Sequence, residues 1–257
     1  MHEIQKGLSI MDKTKSAYRP SLHIAMPCYD AVKIRTMISI VRLVRELTAA
    51  GLKFDVNTMQ SPYVAYARNI LMSRFLQRDE DYLLFIDADL EFDPECVLKM
   101  LIADKDVICT PYRAKTNDPE SVQYTVSIKD PHNVKILPGG LVEIQNGPAG
   151  MMMVKRNVFE KLIKDYPEKE IKYHPNPGAF PKDLRIYNFW DCNFKDGIWK
   201  GEDIFFCDLA REAGFKVYAN ITSPLTHHGS FGYKGKYEDK FKMKKKNGKE
   251  PQLNGYN

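Results

Sequence analysis

The sequence has no apolar run approaching the ~18–20 residues that a membrane-spanning helix requires. Its first stretch, MHEIQKGLSIMDKTKSAYRP, lacks the apolar core of a secretory leader. Cysteine is sparse: Cys28, Cys96, Cys109, Cys192 and Cys207 are scattered, odd in number and without a CxxC pair. That spacing excludes a disulfide framework and suggests no zinc site, so these are read as reduced thiols. A strong charge of one sign is also missing. The net charge is +5, and much of it comes from eight lysines between Lys234 and Lys249. A basic tail on a near-neutral body argues against nucleic acid as the main partner. The tail is read as a solvated terminus, with peripheral contact to an anionic membrane surface as its alternative. No internal repeat is visible. The expectation is a soluble, cytoplasmic protein without a transmembrane segment.

What is present is an ordinary globular composition. The chain has 257 residues, 44% hydrophobic and 28% charged, enough for one large domain or two small ones. Leu22–Met26 reads as a first strand broken by Pro27. A helix follows with Ile34, Met37, Ile38, Val41, Val44 and Leu47 at helical spacing and Gly51 as its stop. Phe54–Thr58 reads as a second strand. Ser61-Pro62 predicts a helix start, with the helix running to about Arg78. Its apolar stripe is Val64, Leu71 and Phe75, and Arg68 falls in the middle of it. A guanidinium on a core-facing stripe calls for an anion, either a ligand or a structural acid, or else its head must reach water.

Asp81-Tyr-Leu-Leu-Phe-Ile-Asp-Ala-Asp-Leu90 is the centre of the pattern. An apolar run of strand length ends in two carboxylates. In an extended chain Asp87 and Asp89 project to one side, roughly 6–7 Å apart. The carboxyl end of a buried strand is where open α/β sheets bind ligands, and paired acids there suit a hard divalent cation shared with phosphates. Alone, the same residues also describe a solvated turn.

Asp93-Pro94 caps a further helix to about Ala103, and Asp106–Thr110 reads as a buried strand, which gives β-α-β-α-β-α-β, the opening of a doubly wound sheet. The second half changes character. Val122–Val126, Leu141–Ile144 and Met151–Val154 read as strands of a mixed or antiparallel part, with a turn at Gly147–Gly150. Asn157 and Glu160 form a capping-box-like start for a helix Val158–Lys164. Residues 171–200 lack periodicity and are rich in aromatics, including Trp190 and Trp199, as in a lid or binding loop. Gly201-Glu202-Asp203 opens another helix, where acids also serve simply as caps. Val217–Ile221 is a last strand, with His227-His228-Gly229 in the loop after it.

Together, Pro27-Cys-Tyr-Asp30, Ala67-Arg-Asn69, Phe85-Ile-Asp-Ala-Asp89, Gly201-Glu-Asp203 and His227-His-Gly229 resemble a GT-A glycosyltransferase of the family-2-like kind, over about residues 21–233. The resemblance implies an α/β fold with a Rossmann-like, mostly parallel central sheet flanked by helices, and a smaller mixed acceptor-side part. It divides the chain into an extension (1–20), a glycosyltransferase domain (21–233; nucleotide half about 21–115, acceptor half about 116–233) and a Lys-rich tail (234–257). It implies a nucleotide-sugar donor (UDP-, GDP- or dTDP-sugar) and Mn²⁺ or Mg²⁺, with hexosyl or deoxyhexosyl transfer to a glycan or small-molecule hydroxyl. Pro27, Tyr29, Asp30, Arg68, Asp87, Ala88 and Asp89 would face the donor nucleotide. Asp87, Asp89 and His227 would be metal ligands, with His228 as the alternative to His227. Gly150, Trp190, Trp199 and His228 would line the sugar or acceptor side. Asp203 matches the position of a general base, with Glu202 capping or orienting beside it, which implies inversion at the anomeric carbon. A helix start is expected to keep the Asp203 carboxyl ionised. Two other readings remain: a nucleotidyltransferase, which usually carries a Gly-rich basic signature after the first strand, and a catalytically silent sugar- or nucleotide-binding module.

Overall fold

A computed structural model describes residues 19–118, 121–131, 133–172, 183–195, 197–229 and 231–243, apart from the side chains of Lys195, Lys242 and Met243. In chain order the first half of the chain contains β1 (Leu22–Cys28), α1 (Ile34–Ala49), β2 (Phe54–Gln60), α2 (Val64–Leu76), β3 (Tyr82–Ile86), β4 (Leu90–Phe92), α3 (Pro94–Ala103) and β5 (Val107–Cys109). The rest contains β6 (Ile136–Leu137), β7 (Leu141–Ile144), β8 (Met151–Lys155), α4 (Arg156–Asp165), β9 (Asn193–Lys195), β10 (Ile198–Lys200), α5 (Glu202–Glu212), β11 (Val217–Asn220), β12 (Leu225–His228), β13 (Gly232–Gly235) and α6 (Glu238–Met243).

The α/β class expected from the sequence is present. Eight strands form the central sheet in the order β2-β1-β3-β8-β5-β11-β7-β6. The β1 pairings with β2 and β3, and that of β5 with β11, are parallel, while β8 runs antiparallel between β3 and β5. On the far edge β7 is antiparallel to both β11 and β6. The middle strands are apolar throughout because both faces are covered. Leu83 and Phe85 of β3, with Met152 and Val154 of β8, enter one apolar cluster together with Phe75 of α2, Phe159 of α4 and Phe206 of α5. Tyr82, Leu84, Ile86, Met151 and Met153 enter the other, with Leu43 of α1 and Met100 of α3. A second, three-stranded sheet, β13-β12-β4, stands beside the carboxyl end of β3.

Several local expectations are corrected. Strand β1 continues through Pro27 to Cys28; its pairing to β3 stops at Ala25, so the missing proline N–H falls where β3 no longer needs a donor. Helix α2 begins at Val64 with Tyr63 as N-cap, while the Ser61 hydroxyl accepts from the Tyr63 N–H in the preceding turn. Helix α1 buries Thr36, Ser39, Ile40, Leu43 and Leu47, whereas Ile34, Met37, Ile38 and Val41 are exposed. The buried stripe is thus rotated from the most apolar one, because small hydroxyls let the helix approach the sheet. Ser39, for one, accepts the Phe92 N–H through Oγ at 3.0 Å. Residues 122–126 form no strand, only a bridge at Arg113–Tyr124, with a second just beyond them at Ser127–Asn146. Helix α4 starts at Arg156 after Lys155 and has no side-chain cap. Part of the aromatic segment, 173–182, lies outside the described residues, but its end is structured: β9 and β10 form an antiparallel pair. The start of the lysine-rich tail is also folded, carrying β13 and α6, and Tyr237 packs on Tyr124.

Candidate active site

Strand β3 delivers the acids. Asp87 continues the face of Leu83 and Phe85, so it points toward the side covered by α2 and α5. The strand ends at Ile86 and the chain turns, with the Leu90 N–H bonded to the Asp87 carbonyl. The two carboxylates therefore do not project side by side as strand alternation predicts; they serve two adjoining pockets.

In the first pocket Arg68 of α2 is 2% exposed and lies over the Phe85 ring, 5.1 Å from its centroid. Its Nη2 donates to Asp87 Oδ1 at 2.7 Å and its Nε to Glu202 Oε1 at 3.4 Å. Burial works to lower the Arg68 pKa, but Asp87 and Glu202 outweigh it and hold the guanidinium charged. Its anionic partners are thus protein acids, and Arg68 clamps the end of β3 to the start of α5. Gly150 belongs here too. A Cβ on it would lie 2.3 Å from both Asp87 Oδ2 and the Tyr112 hydroxyl, and its carbonyl accepts the Asp87 N–H at 2.8 Å. The glycine makes room for these side chains rather than for a sugar.

Asp203 adjoins Glu202 in the first turn of α5. Its pKa is raised to about 6, first by burial and then by the neighbouring Glu202 carboxylate, against the Ile204 N–H that donates to Oδ1 at 2.8 Å and the charge of Arg68. The helix start does not lower this pKa, because loss of water outweighs one amide bond and the dipole, and the carboxyl is nevertheless ionised near neutrality.

In the second pocket Asp89 meets His227 of β12, Nε2 to Oδ1 at 3.5 Å, and the Lys115 ammonium contacts Oδ2. Burial works to raise the Asp89 pKa, but His227 and Lys115 outweigh it and bring it to about 2. The Arg113 carbonyl holds His227 Nδ1 at 3.0 Å. Tyr112, buried, joins the pockets: its hydroxyl is 3.5 Å from Asp87 Oδ2 and its ring meets His227 edge-on at 4.8 Å. The two histidines sit in strand β12 rather than in a loop, so they alternate. His228 turns away to Glu91, Nε2 to Oε2 at 2.9 Å, which leaves His227 as the histidine beside Asp89.

Among the described residues no group of three or more His, Cys, Asp or Glu side chains is arranged to hold a metal ion. Asp89 and His227 do converge, and a carboxylate with an imidazole suits a divalent cation whose other positions are filled by water and phosphate oxygens. Asp87 is turned to Arg68 instead.

The remaining sequence candidates are dispersed. Pro27 is buried, Tyr29 is 75% exposed, and Asp30 is exposed. Ala88 contributes its carbonyl, which accepts the Lys33 N–H at 2.9 Å. Trp190 is a correction: it is fully buried, stacked on Phe206 at 4.2 Å, and unable to meet a sugar. Asn69 fixes it there, accepting the Phe189 and Trp190 N–H groups at 3.0 and 2.9 Å. Trp199 in β10 is 67% exposed. Tyr112 and Lys115 were missed, since nothing local marks a tyrosine or lysine after β5 as belonging to a pocket.

No family model matches the chain, and neither does any curated protein sequence. Among solved structures it is similar to A197 from STIV, with 20% identity, TM-score 0.47, and 82% of this chain aligned to 86% of that one. It is also similar to a glycosyltransferase involved in glycosylation of the major capsid of PBCV-1 (13%, TM-score 0.32, 63% on 77%). A third is 4-diphosphocytidyl-2C-methyl-D-erythritol synthase from Anaerococcus prevotii DSM 20548 (13%, TM-score 0.32, 75% on 96%). Likenesses this distant decide nothing about activity. No described helix is long and apolar enough to cross a membrane.

Proposed function

We propose that the chain is a metal-dependent, inverting glycosyltransferase that moves a sugar from a nucleoside-diphosphate sugar to a hydroxyl acceptor. The observation that carries this reading is the junction at the carboxyl end of β3. There a buried Arg68 ties Asp87 to Glu202, and next to Glu202 stands Asp203 with a carboxyl titrating at about 6.

A general base works best when its pKa lies just below the working pH, since it is then ionised yet still basic. Asp203 meets that condition: near neutrality it accepts the proton of the attacking acceptor hydroxyl as the bond to the anomeric carbon forms and the bond to the leaving phosphate breaks. Arg68 holds the β3 end and the α5 start in fixed relation, which positions Asp203. Asp89 and His227 would hold Mn²⁺ or Mg²⁺, which when bound supplies charge stabilisation for a departing diphosphate. Tyr29, exposed at the end of β1, offers a face for a base.

The test is a thermal-shift screen of nucleoside diphosphates and nucleotide-sugars with and without Mn²⁺, followed by nucleotide release assays. UDP, GDP or dTDP is expected to stabilise the fold with Mn²⁺, and Asp89→Ala to abolish that effect. Release of inorganic pyrophosphate from a nucleoside triphosphate would instead identify a nucleotidyltransferase. Binding of a sugar nucleotide without any turnover would make the chain a silent binding module.

A further inference from the structure

Each of the two β3-end acids is paired with a cation of its own, and the two cations differ in kind. Arg68 is 2% exposed and braced by Asp87, Glu202 and the Ala149 carbonyl. The buried guanidinium would be left uncompensated without these acids, so its pairing is permanent. Lys115 is 38% exposed at its side chain and, among the described residues, pairs with Asp89 alone of the acids. Its stem lies along Gly229: a Cβ there would come within 3.0 Å of Lys115 Cδ, so the absence of a side chain leaves the groove in which the lysine lies. The Gly229 N–H is held by the Phe231 carbonyl at 2.8 Å, which fixes that groove. A lysine on a four-carbon stem is a compact charge that swings through several ångströms without disturbing the backbone.

Resting on the glycosyltransferase reading above, we propose that Lys115 is a tethered cation that holds the Asp89–His227 pocket closed to metal until the donor arrives, and then transfers to the donor's diphosphate. Lys115 and a divalent ion compete for the same Asp89 carboxylate. A metal that arrives with a diphosphate offers the displaced ammonium a new anion within reach, whereas a metal arriving alone leaves it unpaired. The device makes metal and donor bind together rather than in sequence, and Lys115 becomes a second cationic contact to the leaving group.

The experiment measures Mn²⁺ affinity of the nucleotide-free protein by electron paramagnetic resonance of the free ion, and affinity for inorganic pyrophosphate in Mn²⁺ by calorimetry. Lys115→Met is expected to bind Mn²⁺ about tenfold more tightly than wild type, and Mn²⁺–pyrophosphate several-fold more weakly. Lys115→Arg, which keeps the charge, should stay near wild type in both. Equal Mn²⁺ affinity in Lys115→Met and wild type, with binding still lost in Asp89→Ala, overturns the tethered-cation proposal and leaves the metal reading intact. Mn²⁺ binding that survives Asp89→Ala overturns both. Equal pyrophosphate affinity, or none in either protein, overturns the transfer.

Discussion

Asp203 stands under two opposed demands. Its folded pKa of about 6 lies above the unfolded carboxylate value of 3.8, so ionising it in the folded state costs stability. That cost is absent below about pH 4, grows between about pH 4 and 6, and is complete at neutrality, on the order of 3 kcal/mol. Two results are expected. The rate should rise with pH through an inflection near 6, read from kcat/KM against pH. Asp203→Asn should lose turnover while melting at a higher temperature than wild type near neutral pH and at the same temperature below about pH 4. That Arg68 needs an anion or a way to water was legible from sequence, because it stands in the centre of an apolar stripe; that the anions are Asp87 and Glu202 was not. The titration of Asp203 was not. Gly201-Glu202-Asp203 shows a helix start but not the burial behind it, and burial decides the sign. Lys115 escaped for a similar reason, since its partner Asp89 is distant in sequence and only the fold joins them.

At the level of elements, β3, β7 and α3 were read at their observed places because their signals are local: an apolar run, a turn on each side, an Asp-Pro cap whose Oδ1 accepts the Glu95 N–H. Helix α1 was found, but its buried face was not, because a buried Thr36 and Ser39 run against the hydrophobic pattern. The β4–β12–β13 sheet was not anticipated, since β4 is three residues long and its pairing spans more than half the chain. This sheet nevertheless aims His227 at Asp89 and His228 away from it. The turn before β8 gives a sharp test. Gly150→Ala would force Asp87 and the Tyr112 hydroxyl apart, since a Cβ would lie 2.3 Å from each. It is expected to destabilise the fold by about 2 kcal/mol, measured by urea denaturation. It should also weaken the Arg68–Asp87 contact that positions Asp203, seen as a lowered kcat.

For the whole molecule, the halves that the sequence divides near residue 115 are not separate bodies. Strand β8 comes from the second half and fills the place between β3 and β5 of the first, pairing with both. Met151, Met152, Met153 and Val154 of that strand are fully buried and enter the clusters on both faces. A fragment of residues 19–115 is therefore expected not to fold alone, because β3 and β5 would face a gap. Circular dichroism and amide exchange check this: the fragment should lack a cooperative melt and protected amides in 82–86, whereas the full chain should unfold in a single transition.

The same strand sets a timetable for the chain as it is made. From the synthesis of Ile86 until Lys155 follows, β3 lacks the partner that fills its second edge in the finished fold, a wait of several seconds at ~5–20 residues per second. The open edge is five consecutive buried apolar residues, Tyr82 to Ile86, which is the kind of segment that pairs with strangers. On the nascent chain Asp87 and Asp89 are charges at the end of that unpaired run, and charges so placed discourage pairing with another copy.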